Sequence, residues 1–237
     1  MQAGSTAPPR SRAEEVHARL KEDIADFRLV PGDRFSENGL CERLGVSRTP
    51  VRQALARLAQ EGWVEVQSRS GWRVRPFDFA RFEQLYELRL VLESAALQRL
   101  CEARPGAQDA LLARLEARWG PSGDGPSSDG PQVAAWDEDF HGALVAAAGN
   151  AEMARMHGEI MERIRIVRRL DFTQPARIAA TYAEHARILG AVRARRPDEA
   201  LALLRGHISA SQAEVRRITL HQVQLARERA GSPGAAG

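Results

Sequence analysis

Lysine is all but missing from this chain: Lys21 is the only one among 34 basic residues, and the rest are arginine. Wherever a bidentate contact to phosphate or base is possible, that choice matters. Cysteine is as scarce. Cys41 and Cys101 lie far apart in helix-like stretches, which excludes a disulfide scaffold and a cysteine zinc site and suits a reducing compartment. No apolar run approaches the roughly 20 residues of a membrane span. The opening MQAGSTAPPRSR has no apolar core of the kind an export leader carries, so the expected location is cytoplasmic, with no membrane partner. Charge of one sign is not in excess: the net charge is +3, and the chain as a whole is no polycation. Nor is there an internal repeat of solenoid length.

What remains is an ordinary globular composition. Hydrophobic residues make up 43% and charged residues 27% of 237, enough for one large core or two small ones. Residues 1–12 are small and polar and read as a disordered tail, as does 231–237. From Ala13, the fourfold repeat of Val16, Leu20 and Ile24 predicts a helix, closed by the turn Pro31-Gly32-Asp33. Ser36 then caps a short helix with Leu40 and Leu44 on one side, and Gly45 ends it. Ser47 caps the next, with Pro50 in the first turn and Val51, Leu55 and Leu58 on the apolar face. Trp63 to Val66 and Trp72 to Arg75 alternate as two strands around the loop Gln67–Gly71. Beyond Asp78 no strand candidate appears. Six helices are predicted at about 78–103, 106–119, 132–148, 151–170, 175–194 and 197–229. The glycine-rich stretch from Gly120 to Pro131 reads as a flexible surface loop. The expected fold is mainly α: a winged helix-turn-helix unit over 13–76 and an all-helical bundle over 77–230.

The order helix, tight turn, basic helix, hairpin is that of a winged helix-turn-helix. The second helix enters the major groove by its N-terminus, so its first turn needs donors. Here that turn is Ser47-Arg48-Thr49-Pro50-Val51-Arg52. Arg48 and Arg52, four apart, share one face and suit guanine O6/N7 or phosphate. The Ser47 and Thr49 hydroxyls suit phosphate oxygens. Solvated surface arginines are the plainer alternative. The run PGDRFSENGLCERLGVSRTPVRQALARLAQEGWVEVQSRSGWRVRP resembles the DNA-binding domain of the GntR family of bacterial transcriptional regulators, densely over 13–76. The resemblance implies base or phosphate contacts for Arg48 and Arg52, phosphate contacts for Ser47 and Thr49, and a wing tip at Gly71 entering the minor groove. Where the family often has arginine after Ser-Glu, this chain has Asn38, a residue type able to bond adenine N6/N7 or a phosphate.

Five of the six histidines fall in the bundle. Asp137 and His141 are four apart and project from one face of their helix; His185 and His207 lie on two later helices. Three helices of a bundle can place one carboxylate and three imidazoles around one point, although spacing alone also suits unrelated histidines. Residues 79–229 resemble the FCD domain, the helical effector domain of the FadR-type branch of that family. Leu85 to Glu93, Asp137 to His141 with Gly149-Asn150, Glu184-His185 and His207-Ile208 carry the likeness. It implies a divalent metal on Asp137, His141, His185 and His207. Zinc, nickel, manganese or iron suits such ligands. It also implies a small organic acid as effector, for which Arg89 is the candidate clamp. His157 and His221 read as structural or surface residues, Arg163 and Arg165 as a salt-bridged outer face, and Phe140 as core. Trp63 and Trp72 read as hairpin packing, and Trp119 and Trp136 as anchors of the loop. The expected function is an effector-responsive repressor, a homodimer on a palindromic operator and not an enzyme. The alternatives are a metal sensor and, more remotely, a metal-dependent hydrolase.

Overall fold

The computed structural model describes residues 11–67, 71–120 and 127–217, together with Val223, Leu225, Arg227 and Glu228. Residues 1–10 and 231–237 of the expected tails, the middle of the wing loop, much of the glycine-rich loop and His221 lie outside the described residues; Ser11 and Arg12, expected in the first tail, instead open the first helix. The chain divides into two compact units between Phe77 and Asp78, and the described residues Val223, Leu225, Arg227 and Glu228 group with the first.

In the first unit, α1 (Arg12–Ala25) starts at a capping box. Ser11 accepts from the Glu14 N–H while Glu14 reaches back to the Ser11 N–H, which satisfies two free helix-end donors at once. Val16, Leu20 and Ile24 are buried, as their spacing predicts. The helix ends earlier than the Pro31-Gly32 turn, because Phe27 takes a positive φ of 61° and breaks the ladder. Then come β1 (Arg34–Phe35), α2 (Glu37–Leu44), α3 (Arg48–Glu61), β2 (Val64–Gln67) and β3 (Gly71–Val74). Ser36 caps α2 by accepting from the Gly39 N–H at 3.0 Å, and Gly45 closes it in the left-handed conformation at φ 65°.

The hairpin is in fact part of a three-stranded sheet of order β1-β3-β2, all antiparallel. Two residues carry no readable alternation, so β1 is invisible in the sequence. It is held by pairing: Arg34 faces Arg73, Phe35 faces Trp72, and the Gly32 and Val74 N–H groups bond across at 3.0 and 2.9 Å. Leu20, Val51, Leu55, Leu58, Val64 and Val74 make the core of this unit.

Among the described residues the second unit is six helices: α4 (Phe79–Glu102), α5 (Asp109–Trp119), α6 (Gly130–Ala147), α7 (Ala151–Asp171), α8 (Pro175–Arg193) and α9 (Pro197–Val215). Asp78, Asp129 and Asn150 cap α4, α6 and α7 through side-chain oxygens. Pro175 and Pro197 open α8 and α9, where a missing N–H costs little. Gly149, at φ 74°, turns the chain from α6 into α7. α4 packs against α9, α6, α7 and α8, and α8 also packs on α9 and α5. α4 therefore runs through the middle of the bundle, and its inward face carries Arg89 and Glu93. No helix among the described residues is long and apolar enough to cross a membrane.

Candidate functional site

In the first unit, α3 turns Val51, Ala54, Leu55 and Leu58 inward and leaves its other face to solvent. Ser47, Arg48, Thr49 and Arg52 are all exposed on that face, and Asn38 is exposed on α2. Ser47 holds the N-cap position, but its hydroxyl makes no capping bond. The expected side-chain cap is absent at this helix start, which leaves both that hydroxyl and the first-turn N–H groups able to meet an anion. Arg52 donates to Glu37 Oε2 at 2.7 Å, and this bond holds the Glu37 carboxyl below the usual carboxylate range. Gly71 starts β3 at φ 97°, and an added Cβ there would lie 2.7 Å from the Phe35 carbonyl oxygen. Glycine is thus required by the close passage of β1.

The second unit buries four metal-type donors. Asp137, His141, His185 and His207 each offer one ligand atom within 4.8 Å of the others, all fully buried. His141 Nε2 lies 3.1 Å from His207 Nε2, and His185 Nε2 lies 3.4 Å from it. Asp137 Oδ1 stands 3.6 Å from His141 Nε2 and 3.5 Å from His185 Nε2. Adjacent ligands of an ion bonded at about 2.1 Å are separated by about 3.0–3.4 Å, close to these spacings. α6 presents Asp137 and His141 together, one turn apart, while α8 and α9 bring His185 and His207.

The surroundings fix which atoms point inward. The His141 Nδ1–H donates to Glu93 Oε2 at 2.7 Å, and the His207 Nδ1–H donates to Glu184 Oε2 at 2.6 Å. An imidazole whose one N–H sits at Nδ1 carries its lone pair at Nε2, and Nε2 is the atom that both rings turn to the centre. Burial holds His185 and His207 well below the ordinary histidine pKa, and neighbouring imidazoles add to it. Asp137 Oδ1 makes no hydrogen bond among the described residues. Facing lone pairs without a donor between them are unfavourable, so the donor set fits a cation. His185 stacks on Phe140 at 3.7 Å between ring centroids, with the Trp119 edge at 4.4 Å. Phe140 is core, as expected, and it is also a wall of this cluster. Trp119 is buried in the same wall, where the sequence suggested a loop anchor.

Further polar groups surround the quartet. Arg168 donates to Asp137 Oδ2 and, at 2.8 Å, to Ser211 Oγ. Burial opposes charge on both, but the pair outweighs it: Asp137 sits well below the carboxylate range and Arg168 stays firmly charged. The Ser211 hydroxyl donates to Asp171 Oδ2 at 2.7 Å and accepts from the Tyr86 hydroxyl at 3.2 Å. Burial pushes the Asp171 carboxyl up to about 6.

Arg89 is wholly buried, not a surface arginine. Its Nε donates to Glu93 Oε1 at 2.7 Å, and neither Nη1 nor Nη2 has a hydrogen-bond partner among the described residues. His157 is buried too: its Nε2–H donates to Glu93 Oε1 at 2.8 Å. Sequence reasoning missed Glu93, His157, Arg168, Arg177, Glu184 and Ser211. The i, i+4 spacing of Arg89 and Glu93 was a signal, but the same spacing is the mark of an exposed helix pair. Arg165 binds Glu138 through Nε and Nη2, both at 2.9 Å, in a partly exposed salt bridge between α7 and α6.

Residues 12–74 match the bacterial regulatory proteins of the gntR family, and residues 84–210 match the FCD domain. The chain is 33% identical over 182 residues to the Nta operon transcriptional regulator of Aminobacter aminovorans, covering 77% of this chain and 84% of that one. It is 30% identical over 217 residues to an uncharacterised HTH-type transcriptional regulator in an unstable DNA locus of Streptomyces ambofaciens, covering 91% and 90%. A GntR transcriptional regulator from Rhodococcus sp. RHA1 has the same fold, with a TM-score of 0.68 at 23% identity over 89% of this chain and all of that one. McbR/YncC of E. coli shares it also, with a TM-score of 0.67 at 21% identity over 88% and 99%. A helix-turn-helix unit and an FCD unit thus stand in one chain, and the protein belongs to the gntR family of bacterial regulatory proteins as a DNA-binding transcriptional regulator with an FCD domain.

Proposed function

We propose that this regulator is a repressor whose grip on DNA is controlled by a small organic acid bound beside a metal in the FCD domain. Two copies read a palindromic operator, because one recognition helix covers only a few base pairs and two-fold symmetry doubles the contacts. Arg48 and Arg52 meet base edges or phosphates, Ser47 and Thr49 take phosphate oxygens, and Asn38 reaches adenine or a phosphate. Gly71 lets the wing follow the minor groove. Such a protein acts on the chromosome, in the cytoplasm. Asp137, His141, His185 and His207 hold the metal; three imidazoles and a carboxylate suit zinc, nickel, manganese or iron better than magnesium or calcium. When bound, the ion supplies a positive centre for an effector carboxylate. Arg89 grips the acid through its two terminal nitrogens.

The observation that carries this reading is the pairing of four converging buried donors with a buried guanidinium whose Nη1 and Nη2 have no acceptor. A pure metal sensor has no use for the second feature, so the acid rather than the metal is taken as the signal. Metal analysis of the full-length protein, joined to a thermal-shift screen of hydroxy acids and sugar acids, tests it. A ligand of the folded state raises Tm by mass action. The expected result is about one transition metal per chain, a rise in Tm with a carboxylic acid that Arg89→Met abolishes, and release of operator DNA by that acid. A protein that takes up no metal and responds to no acid would overturn the proposal.

A further inference from the structure

Glu93 lies mid-way along α4, in contact with three donors and no solvent. Its Oε2 accepts from His141 Nδ1 at 2.7 Å, while its Oε1 accepts from Arg89 Nε at 2.7 Å and from His157 Nε2 at 2.8 Å. An ionised carboxylate only accepts, so each partner has to donate. His141 then spends its single N–H at Nδ1, away from Asp137, His185 and His207. Arg89, one turn back on α4, and His157, from α7, occupy the other oxygen and stop the carboxylate from rotating. Glu184 makes the same bond to His207, but it is partly exposed and held by Arg177. Of the two carboxylates that accept from the Nδ1 atoms of quartet histidines among the described residues, Glu93 is the buried one.

We infer that Glu93 is a positioning residue that locks His141 in the tautomer able to bind metal through Nε2. This rests on the metal reading of the quartet. A carboxylate on the far nitrogen of a ligating imidazole orients the ring and raises its basicity, and loss of such a partner costs about 10–100-fold in metal affinity.

Glu93→Gln is the informative change, because it keeps the shape and replaces one oxygen by an NH2. Arg89 Nε and His157 Nε2 both require the remaining oxygen. The amide NH2 then faces His141 Nδ1, which has to accept, and the ring proton moves to Nε2. Two measurements on the full-length protein read this: long-range proton–nitrogen correlation of the metal-free histidine rings, and zinc affinity by competition with a chromophoric chelator. The expected results are an Nδ1–H tautomer at His141 in the unmutated protein, an Nε2–H tautomer in Glu93→Gln, and a fall in zinc affinity of about 10–100-fold. A merely structural role for Glu93 would leave the tautomer unmoved. If Glu93→Gln does not fold, the unmutated protein still decides: an Nε2–H tautomer at His141 overturns the inference. So does unchanged zinc affinity in a folded Glu93→Gln protein. A protein that binds no zinc before mutation overturns the metal reading itself, while the tautomer spectra report separately on Glu93.

Discussion

Arg168 holds one oxygen of Asp137 and leaves the other to the histidines: Nη2 bonds Oδ2, while Oδ1 faces His185 Nε2 at 3.5 Å and His141 Nε2 at 3.6 Å. The arginine thereby orients the carboxylate and keeps it charged although it is fully buried. Arg168→Leu would strand a buried negative charge, and removal of one partner of such a pair costs about 3–5 kcal/mol. Urea denaturation of the metal-free protein checks this. A midpoint within experimental error of the unmutated protein would mean that Asp137 is not charged there.

Acid should weaken the metal-free bundle from about pH 6.5 downward, the reference pKa of histidine. His185 and His207 have folded pKa values depressed by burial, so the unfolded chain binds more protons and stability drops as pH falls below the unfolded value. Asp137 and Glu93, also depressed, add a loss at lower pH. Asp171, raised to about 6, works the other way: its contribution is full below the unfolded carboxylate pKa and is lost as pH rises to about 6. The two histidines outnumber it, so the melting temperature should decline between pH 7 and pH 5. A flat or rising profile in calorimetry would contradict the buried neutral imidazoles.

Arg48→Ala and Arg52→Ala should each weaken operator binding. A bidentate grip on guanine is worth about 1–3 kcal/mol of discrimination, whereas a phosphate contact lowers the salt slope by about one unit. Arg52 must also leave Glu37, to which it is bonded at 2.7 Å. Titrations at several salt concentrations separate the two contact types. Unmutated affinity and slope in both variants would show that α3 is not the helix in the groove.

Gly71→Ala should destabilise the DNA-binding unit by about 1–3 kcal/mol, the usual cost of a strained backbone. At φ 97° an alanine is strained, and its Cβ would press on the Phe35 carbonyl 2.7 Å away, prising β1 from β3. Thermal melting of the full chain, followed by an operator-binding assay, reports both effects. An unshifted transition would show that β1 yields without cost.

Much of the fold was legible because its signals are local. The fourfold spacing of Val16, Leu20 and Ile24, the cap at Ser36, the break at Gly149-Asn150 and the openings at Pro175 and Pro197 each act within a turn or two of helix. So the helices of both units were readable, and so was the presence of Asp137 and His141 on one face of α6. The strand β1 was not, because two residues have no pattern and exist as a strand only through β3.

Around the metal-type quartet the division is sharper. By itself the sequence determined the helices, the basic first turn of α3, and the residue types that can ligate a metal or read DNA. It could not tell that Arg89, Glu93 and His157 are buried, since arginine and glutamate usually stay at the surface and a histidine is found in either place. Only the tertiary structure decided that, by running α4 through the centre of the bundle and closing α6, α7, α8 and α9 around it. Helix periodicity is set by contacts a few residues apart, whereas the partner of a buried charge is chosen by packing between residues far apart in the chain. His141 and Glu93 are 48 residues apart in sequence and 2.7 Å apart in space.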